Sequence, residues 1–285
     1  MNERDWEILH TLYLHKSITK VGEVLYISQP TLTKRIKKIE KDLGIQIVFR
    51  GNKGVQFTQE GEFVAKKAEL LLQTFKNVRE DALNINDFHR GTLRLAVSNF
   101  YSKYKLPPLL KDFKDKYPEV DFYIETGYSR NVFQSVYNKN THTGFLRGEY
   151  HWPGEKHLLF EEELCVFSMQ DLDLQDLPQI PRINYKTDQL YKQMVDNWWT
   201  EHYKSPPYYS MSVDQGDTCK EMVKNGLGYA IMPSEFFSEH ESVVRIPLFN
   251  NNNEPLTQKT WMCYYSESLK LQVVQTFINF VKSRQ

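Results

Sequence analysis

The apolar residues of the first 57 positions recur at helical spacing and then change to short strand-like runs. Trp6, Leu9 and Leu12 lie on one face of a predicted first helix, and Val21 and Leu25 mark a second, shorter one. The stretch IQIVFRGNKGVQFT then holds two short β-type runs around a Gly-Asn-Lys-Gly turn, which is the signal of a hairpin. The N-terminal segment therefore predicts helices followed by a two-stranded wing.

Between the second helix and the hairpin, ISQPTLTKRIKKIEKDLG predicts a third helix. Its apolar residues Leu32, Ile36, Ile39 and Leu43 recur at steps of four, three and four, so one face is apolar. The opposite face is rich in lysine, and a proline lies in the first turn, where its missing N–H costs nothing. Three helices and a hairpin, with a tight turn between the second and third helices, predict a mainly α winged helix-turn-helix domain over residues 1–57.

A single long helix is predicted over residues 58–89, with Thr58 as its N-cap. Its apolar residues recur at alternating gaps of four and three residues for three heptads, which favours pairing with another helix. We therefore predict a linker helix that dimerises. The alternative is a helix packed on its own domain. The predicted interface residues are Val64, Ala68, Leu71, Phe75, Val78 and Ala82.

From Gly91 onward, predicted strands alternate with predicted helices. TLRLAVSN and VDFYIETG predict strands that are each followed by a helical pattern, and YYSMSVD and YAIMPS repeat this theme around a further helix. The alternation predicts parallel strands joined by crossover helices. Residues 90–285 are therefore predicted to form a two-lobed α/β domain. Its first lobe covers about 90–165 and 265–285, and its second lobe covers about 166–264.

Composition and charge narrow the class of protein. The chain has 285 residues, 40% of them hydrophobic, which suits a globular protein of more than one domain. Its formal net charge is zero, but residues 1–90 hold 15 Lys/Arg against 12 Asp/Glu, and the remainder holds 21 against 24. A surface that faces phosphate is therefore expected in the first third of the chain. No apolar run approaches the roughly 18–20 residues needed to span a bilayer, so no membrane partner is expected.

Localisation and chemistry follow from motifs that the sequence lacks. The N-terminus has no apolar core of a secretory signal, and the three scattered cysteines have no Cys-x-x-Cys spacing, which together predict a cytoplasmic protein. The eight histidines are scattered, and the sequence contains no Gly-x-Ser-x-Gly, His-Glu-x-x-His or glycine-rich phosphate motif. We therefore expect no catalytic activity, no metal and no cofactor.

The stretch SITKVGEVLYISQPTLTKRIKKIEKDLGIQIVFRGNKGVQFTQEGE resembles the DNA-binding segment of LysR-type transcriptional regulators, and the similarity covers residues 3–62. Later in the chain, MVKNGLGYAIMPS resembles the family's Val-x-x-Gly-x-Gly-x-x-x-x-Pro stretch. The resemblance implies a periplasmic-binding-protein-like effector domain and a homodimer or homotetramer. The implied partners are double-stranded promoter DNA with a dyad and a small-molecule effector, with RNA polymerase as a further candidate.

Three departures from the family's pattern stand out. Val21 and Gly22 replace two alanines in the second helix, and Lys34 stands where arginine is common, which alters the expected base preference. In the first lobe, THTGFLRG replaces an Asp-Leu-Ala-Ile-like strand. Because of this last change, the effector is not inferred from better-known members of the family.

A recognition helix needs short hydrogen-bonding side chains near its N-terminus, because that end meets base edges in the major groove. Gln29, Thr31, Thr33 and Lys34 supply them. The resemblance places the family's base-contacting positions on Gln29, Pro30, Thr33 and Lys34. The basic residues behind these positions and on the wing are expected to hold phosphate or to reach a minor groove. They are Arg35, Lys37, Lys38, Arg50 and Lys53.

In a two-lobed α/β receptor, a ligand lies between the lobes at strand C-termini and helix N-termini, where free N–H groups favour anions. Hydroxyl, amide and guanidinium groups in four such loops predict a small anionic effector, such as an organic acid or an amino acid. Arg147 is expected to hold its carboxylate with two hydrogen bonds, and tyrosines are expected to form the walls. The candidate effector residues are Ser98, Asn99, Phe100, Tyr101, Tyr128, Ser129, Arg147 and Thr218.

Two other interpretations stay open from the sequence. Cys219 lies near a predicted helix N-terminus, which can lower a thiol pKa, and would suit a redox-responsive regulator of the same family. The sequence has no second cysteine at short spacing to pair with it. A solute-binding receptor shares the two-lobed architecture but needs an export signal.

Overall fold

The computed structural model describes residues 1–51, 54–84 and 90–284. The chain divides into two compact units, Met1–Ile85 and Asn86–Gln285. Within the described ranges, none of the helices combines the length and the hydropathy needed to cross a membrane.

The N-terminal unit is a three-helix domain with a two-stranded wing, followed by a long helix. Apolar side chains from the three helices, among them Leu12, Val21 and Ile36, meet in one buried core. The wing is an antiparallel hairpin in which Val48 pairs with Phe57, as the turn chemistry predicts. The elements are α1 (Glu3–His15), α2 (Ile18–Leu25), α3 (Gln29–Leu43), β1 (Val48–Gly51), β2 (Gly54–Phe57) and α4 (Gln59–Asn84).

The ends of the first three helices follow from local chemistry. α1 begins with a capping box, in which Asn2 Oδ1 accepts the Asp5 N–H at 3.2 Å and Asp5 Oδ2 accepts the Asn2 N–H at 2.8 Å. α2 begins after Ser17, whose Oγ accepts the Lys20 N–H at 3.4 Å. α3 ends at Gly44, which adopts a φ of 69°, a conformation that glycine enters without strain. Each boundary is therefore encoded within a few residues of its helix.

Thr58 joins the wing to the long helix α4. Its hydroxyl donates to the Gln46 carbonyl at 2.6 Å and accepts the Gly61 N–H at 2.9 Å, so that it caps α4 as predicted. The helix packs so closely on the preceding segment that a Cβ at Gly61 would clash with the Ile47 carbonyl. The Thr-x-x-Gly pattern is therefore the joint between the wing and the helix.

The predicted dimerisation stripe of α4 divides into two parts. Ala68 is fully buried in the core of the winged domain and Val64 packs on the same core, because the helix lies along α1. The prediction that Ala68 faces a partner helix is therefore wrong, and the role of the half-buried Val64 stays a prediction. Leu71 is half-buried. The later part of the stripe keeps exposed apolar side chains at Phe75, Val78 and Ala82.

The C-terminal unit consists of two α/β lobes that share the long strand β6. The predicted strands and helices appear in their predicted segments, and β6, β7 and β10 are additional. The elements are β3 (Gly91–Ser98), α5 (Asn99–Tyr104), α6 (Leu106–Lys116), β4 (Val120–Gly127), α7 (Ser129–Tyr137), β5 (Thr143–Arg147), β6 (Glu155–Ser168), β7 (Arg182–Tyr185), α8 (Gln189–His202), β8 (Tyr209–Val213), α9 (Gly216–Lys224), β9 (Ala230–Pro233), β10 (Val244–Pro247), β11 (Thr257–Tyr264) and α10 (Gln272–Lys282).

One sheet path runs through both lobes in the order β10-β6-β11-β5-β3-β4, and β9 also pairs with β6. β3 is parallel to β4 and β5, as the strand–helix alternation predicts, and the additional strand β7 is parallel to β8. In contrast, β6 and β11 are antiparallel to each other and to their other neighbours. The predicted parallel pattern fails for these strands because β6 carries the chain out of lobe I and β11 carries it back in the opposite direction.

The lobe boundaries follow the same two strands. β6 pairs with β11 as far as Glu163 and Thr257, and it pairs with β9 from Leu164 and Pro233 onward. The chain thus leaves lobe I within β6, close to the predicted boundary at 165. The predicted return at 265 is too late, because β11 already pairs with β5 inside the sheet of lobe I.

Each lobe has its own buried core. In lobe I, Leu95 of β3 lies in a cluster with Phe113 and Phe277, whose rings meet edge to face at 5.1 Å. In lobe II, Trp199 of α8 and Tyr229 belong to a second cluster. The predicted architecture of a winged helix-turn-helix, a long linker helix and a two-lobed α/β domain is confirmed.

Candidate nucleic-acid interface and ligand cleft

The N-terminal turns of α3 present polar side chains to solvent. Gln29, Pro30, Thr31 and Lys34 are exposed, and Thr33 is half-buried. The apolar face of the same helix is buried in the domain core, so these five residues are held on one surface by a rigid element. The structure brings the predicted base-contacting residues together, and their contact with bases stays a prediction.

Two side-chain hydrogen bonds hold this surface in place. Gln29 Nε2 donates to Thr19 Oγ1 of α2, and the hydroxyl oxygens of Ser28 and Thr31 lie 2.8 Å apart. The exposed Thr19 therefore belongs to the same face. Sequence reasoning missed it because Thr19 lies in a different helix from the recognition residues.

Tyr26 lies in the turn between α2 and α3 and is 96% exposed. It caps the C-terminus of α2 with a φ of 55°, a left-handed conformation that is unfavourable for a residue with a Cβ. A large exposed ring in a strained backbone position beside the recognition helix is a functional candidate. The signal in the sequence is a tyrosine where turn chemistry favours glycine.

Arg35, a predicted phosphate contact, is already paired inside the winged domain. Its Nε and Nη2 donate to the two oxygens of the Asp5 carboxylate, and Nη2 also donates to Asn2 Oδ1 at 3.0 Å. Burial alone would raise the pKa of Asp5, but the hydrogen bonds from Arg35 and from the Asn2 backbone hold that pKa below its usual value. The guanidinium of Arg35 ties α3 to the first turn of α1, and its contact with a DNA phosphate stays a prediction.

The other predicted phosphate contacts lie on α3 and on the wing. Lys37 and Lys38 are exposed on α3. The side chain of Arg50 and the whole of Lys53 lie outside the described residues. Phosphate contacts by these four residues stay predictions.

A cleft of about 70 Å³ lies between the two lobes of the C-terminal unit. It forms where β3 and β5 end and where α5 and α9 begin, the position expected for a ligand in a two-lobed α/β receptor. Five of the predicted effector residues line it, namely Ser98, Asn99, Phe100, Tyr128 and Arg147.

Tyr101 and Ser129 face other parts of lobe I. The Tyr101 ring is stacked on Phe145 at 4.9 Å in the core of the lobe, and burial raises the pKa of its hydroxyl to about 12. Ser129 is buried behind the cleft, where its Oγ accepts the Arg147 N–H at 3.0 Å. The prediction that these two side chains contact the effector is wrong, because both are used inside the lobe.

The second lobe contributes residues that the sequence pattern did not single out. Gly216 and Asp217 in the first turn of α9 line the cleft in place of the predicted Thr218. Several others directly follow the end of β7. The expectation that ligand residues lie at strand C-termini would find them if it were applied to that strand. The further residues from β7, the loop before α8 and β11 are Tyr185, Lys186, Thr187, Asp188 and Gln258.

Arg147 is buried and already paired. Its Nη2 donates to Glu162 Oε1, and its guanidinium carbon lies 4.2 Å from the centroid of the Phe100 ring. Burial raises the pKa of Glu162, and Arg147 opposes that rise. Glu162 Oε2 accepts the Glu235 N–H at 3.1 Å. The prediction that Arg147 holds an effector carboxylate with two hydrogen bonds is wrong, because its Nη2 already donates to Glu162.

Three buried polar atoms on the wall of the cleft have no hydrogen-bond partner in the described part of the chain. They are Ser98 Oγ, Arg147 Nε and Gln258 Oε1. Arg147 Nε can only donate, Gln258 Oε1 can only accept, and the Ser98 hydroxyl can do either. Unpaired buried polar groups destabilise a fold, so such a group of atoms is expected where a ligand supplies the partners.

Asp188 ties the two lobes together across the cleft. It lies directly before α8 in lobe II, yet its carboxylate accepts the N–H groups of Ser129 at 3.1 Å and Arg130 at 3.4 Å, at the start of α7 in lobe I. A helix N-terminus carries free N–H groups and a partial positive charge, so it attracts anions. Here a side chain of the protein occupies that position, and the N-terminus of α7 is closed to an effector carboxylate.

Polar groups of lobe I form further bridges to lobe II. Tyr104 donates to Asp217, and the Lys103 ammonium lies 2.8 Å from the same carboxylate. Burial and the neighbouring Asp217 raise the pKa of Tyr104, so its hydroxyl stays protonated and keeps donating. Lys105 pairs with Glu235. The lobes are therefore held together in part by charged groups at the mouth of the cleft.

Cys219 lies in α9 near the cleft but is fully buried. Burial raises the pKa of its thiol to about 12, and the charge of Arg182 only partly opposes this rise. The thiolate is the reactive form, so Cys219 is protonated and inert at neutral pH. A ligand-responsive protein therefore fits the structure better than a redox-responsive one.

Two family models match the chain. The model described as "Bacterial regulatory helix-turn-helix protein, lysR family" matches residues 4–62, and "LysR substrate binding domain" matches residues 86–285. The chain is 38% identical over 285 residues to the HTH-type transcriptional regulator YraN of Bacillus subtilis, covering 100% of this chain and 99% of that protein. It is 31% identical over 284 residues to YkuM of the same species, covering 99% and 97%.

Solved structures share the fold over the whole chain. The crystal structure of full-length CbnR complexed with its target DNA matches with a TM-score of 0.74 at 15% identity, covering 100% of both chains. The full-length structure of the Vibrio cholerae virulence activator AphB matches with a TM-score of 0.62 at 17% identity, covering 99% of both chains. At these identities the likeness concerns the fold alone.

Proposed function

The chain belongs to the LysR family of transcriptional regulators, and we propose that it binds a promoter dyad through α3 and responds to a small polar metabolite held between its two lobes. As a member of this family it is a DNA-binding regulator with a substrate-binding effector domain. Its relatives are transcriptional regulators, so no catalytic step is part of the proposal. We propose that it acts in the cytoplasm, where a bacterial protein meets promoter DNA.

The exposed N-terminal turns of α3 support the DNA part of the proposal. Gln29 can pair with adenine through two hydrogen bonds, and Thr33 and Lys34 lie one turn further along the helix. Lys38, with Arg50 and Lys53 of the wing, holds phosphates and fixes the orientation of the helix. In a dimer, two such helices contact half-sites about 34–36 Å apart, so the target is a partly palindromic promoter site.

Fluorescence anisotropy with a labelled promoter duplex that contains a dyad tests this part. Lys34→Ala is expected to weaken binding about tenfold, because each good base contact contributes roughly 1–3 kcal/mol. Lys41→Ala is the matched control, since Lys41 is exposed in the last turn of the same helix and should leave binding unchanged. Equal effects of the two substitutions would contradict the assignment of the N-terminal turns as the DNA-contacting end.

The three unpartnered polar atoms of the cleft are the observation that carries the effector part. Their chemistry calls for a ligand with an acceptor for Arg147 Nε and a donor for Gln258 Oε1. Arg147 and Lys186 are balanced by Asp188 and Asp217 among the lining residues, so the wall carries no net charge. A compact amino acid or hydroxy acid supplies both groups, with its carboxylate at Arg147 and its ammonium or hydroxyl at Gln258.

The size of the cleft limits the ligand and how it enters. A volume of about 70 Å³ has room for about five to seven waters, at the roughly 10–15 Å³ that one water needs on this measure, so the cleft suits a compact metabolite of a few heavy atoms. The polar bridges across the cleft mouth can exchange with water, so they are suited to an opening of the lobes that lets the ligand enter. The proposed effector therefore enters as the lobes open and replaces part of the contacts that hold them together.

Isothermal titration against amino acids and hydroxy acids tests the effector part. For a ligand that binds, Ser98→Ala and Gln258→Leu are each expected to lower affinity about tenfold or more, because each removes a buried hydrogen bond. Ser283→Ala is the matched control, since Ser283 is exposed at the end of α10. Unchanged binding in both cleft variants would contradict the proposed site.

A further inference from the structure

Arg182, the first residue of β7, is a buried arginine in lobe II. Its backbone N–H donates to the Tyr208 carbonyl at 2.8 Å. Its guanidinium carbon lies 5.5 Å from the centroid of the Trp199 ring and 5.4 Å from that of Tyr209. Two aromatic rings therefore face a cation that is 6% exposed.

The guanidinium of Arg182 has no counterion in the described part of the chain. Its Nε and Nη1 are buried without a hydrogen-bond partner there, and no ion pair to a carboxylate within these ranges involves it. By contrast, Arg147, a buried arginine at the wall of the cleft, pairs with Glu162. Arginine cannot lose its charge in a protein, so burial without a partner is a cost that the two rings offset only in part.

The guanidinium lines a small cavity between α8 and the β7–β8 pair. The cavity measures about 20 Å³. A single water needs roughly 10–15 Å³ on this measure, so the space suits one particle of water size or slightly larger. It is too small for the carboxylate of an organic molecule together with its carbon body. The polar residues at its wall include Arg182, Asn184, Thr187, Lys192, Asp196 and Tyr209.

The charges around this cavity are unbalanced. Arg182 and Lys192 are positive and Asp196 is negative, so the ionised lining groups sum to +1. Asp196 is on the wall but forms no ion pair with Arg182, since the described residues include no carboxylate oxygen within 4 Å of its guanidinium. A small ion with one negative charge would neutralise the site and would accept hydrogen bonds from Arg182 Nε and Nη1 together.

We propose that Arg182 holds a small inorganic monoanion of the size of chloride in this cavity. The donors are Arg182 Nε and Nη1, and the rings of Trp199 and Tyr209 shield the ion pair from water. This site is separate from the three polar atoms assigned to the effector, although Tyr185, Thr187 and Tyr191 lie at the wall of both spaces. The anion site lies within lobe II and does not depend on a metabolite in the cleft.

Thermal unfolding of the full chain in chloride against gluconate, at constant ionic strength, tests the proposal, because gluconate is too large for the cavity. Chloride is expected to raise the Tm saturably by about 2–4 °C, the shift that a roughly fivefold gain in the folded-to-unfolded ratio produces at this size. Arg182→Met should abolish the rise. Arg245→Met is the matched control and should keep it, since Arg245 donates to the Phe237 carbonyl at 2.8 Å in the same lobe. A linear, unsaturable response, or a rise that survives in Arg182→Met, overturns the proposal.

A second measurement needs no variant and therefore holds if Arg182→Met fails to fold. Crystals of the wild-type chain grown in bromide should give an anomalous peak within hydrogen-bonding distance of Arg182 Nε and Nη1. A cavity that contains only water gives no such peak. That result overturns the proposal and assigns the space to a buried water.

Discussion

The carboxylate of Asp188 accepts the backbone N–H of Ser129 at 3.1 Å, so a side chain of lobe II caps a helix of lobe I. Asp188 also occupies the N-cap position of its own helix α8, where it makes no side-chain capping hydrogen bond with the described residues. One carboxylate therefore lies between two helix N-termini. The closed arrangement of the lobes depends in part on this single side chain.

Asp188→Ala is expected to loosen the closed lobes. Removing the carboxylate leaves the first N–H groups of α7 uncapped, which costs about 0.5–2 kcal/mol. Hydrogen exchange at the Ser129 and Arg130 amides should accelerate accordingly, while Asp188→Asn, which keeps an acceptor, should give an intermediate rate. Asp171→Ala, at an exposed carboxylate elsewhere in lobe II, should not change the exchange. If the Ser129 and Arg130 amides exchange equally slowly in Asp188→Ala and in wild type, this carboxylate does not hold the two lobes together.

Arg35→Ala is expected to lower the local stability of the winged domain by about 1–3 kcal/mol, because it leaves the buried Asp5 carboxylate without its cation. Arg35→Lys should recover only part of this stability, since an ammonium cannot reproduce the planar arrangement of donors that reaches both oxygens and Asn2. Native-state hydrogen exchange at the α1 and α3 amides measures the effect. Equal protection in Arg35→Ala and wild type would contradict the structural role.

The same pair makes the winged domain sensitive to acid. Burial would raise the pKa of Asp5, but hydrogen bonds from Arg35 and Asn2 outweigh it and leave the folded pKa below the unfolded one. The stabilisation is therefore complete above the unfolded pKa of about 3.9 and is lost as the pH falls through the lower folded pKa. Asp5→Asn should remove this acid-dependent step from the exchange profile.

Lys38 and Arg35 are expected to differ in the salt dependence of DNA binding. Lys38→Ala removes an exposed charge, and the slope of log K against log salt should become shallower by about 0.9 for each phosphate that the protein no longer neutralises. Arg35→Gln should keep the slope, because the guanidinium is bound to Asp5. Anisotropy titrations at several salt concentrations measure both slopes. A shallower slope in Arg35→Gln would return Arg35 to the phosphate-binding set.

Tyr26→Gly is expected to raise stability and to weaken DNA binding. Relief of the left-handed strain of roughly 1–2 kcal/mol exceeds the entropy cost of glycine, about 0.5–1 kcal/mol, but the substitution removes the exposed ring beside α3. Thermal unfolding and anisotropy measure the two effects. Lys139→Gly is the control, since Lys139 has a φ of 58° in the C-terminal unit and should affect stability alone. Unchanged DNA affinity in Tyr26→Gly would remove Tyr26 from the interface.

Val78→Glu is expected to dissociate the assembly into monomers. Val78 is 62% exposed and lies with Phe75 and Ala82 on the part of the α4 stripe that its own domain leaves uncovered. A charge at this position of a helix pair would be buried without a partner. Thr74→Glu, at another exposed position of the same helix, is the control for helix stability. Sedimentation velocity gives the mass, and an oligomer that persists in Val78→Glu would place the interface elsewhere.

The N-terminal unit contains both a success and a failure of sequence reasoning. The spacing of Leu32, Ile36 and Ile39 predicts α3 and its buried face correctly, because the helical period is a local property. The same kind of spacing on α4 predicts an apolar stripe but not what covers it. Ala68 packs on the helices of its own domain, whereas Val78 of the same stripe is exposed. This difference in burial arises only from the way α4 packs along α1.

In the cleft, the strand-end rule placed Ser98, Asn99 and Arg147 correctly because strand order and helix starts are visible in the sequence. The pairing of polar groups was not visible. Arg147 meets Glu162 on a different strand, and Asp188 reaches Ser129 from 59 residues away. The sequence by itself determined where the helices, strands and polar side chains lie along the chain, because periodicity and capping act within a few residues. Only the tertiary structure decided which polar groups meet, because long side chains take their partners from whatever the packed lobes bring within reach.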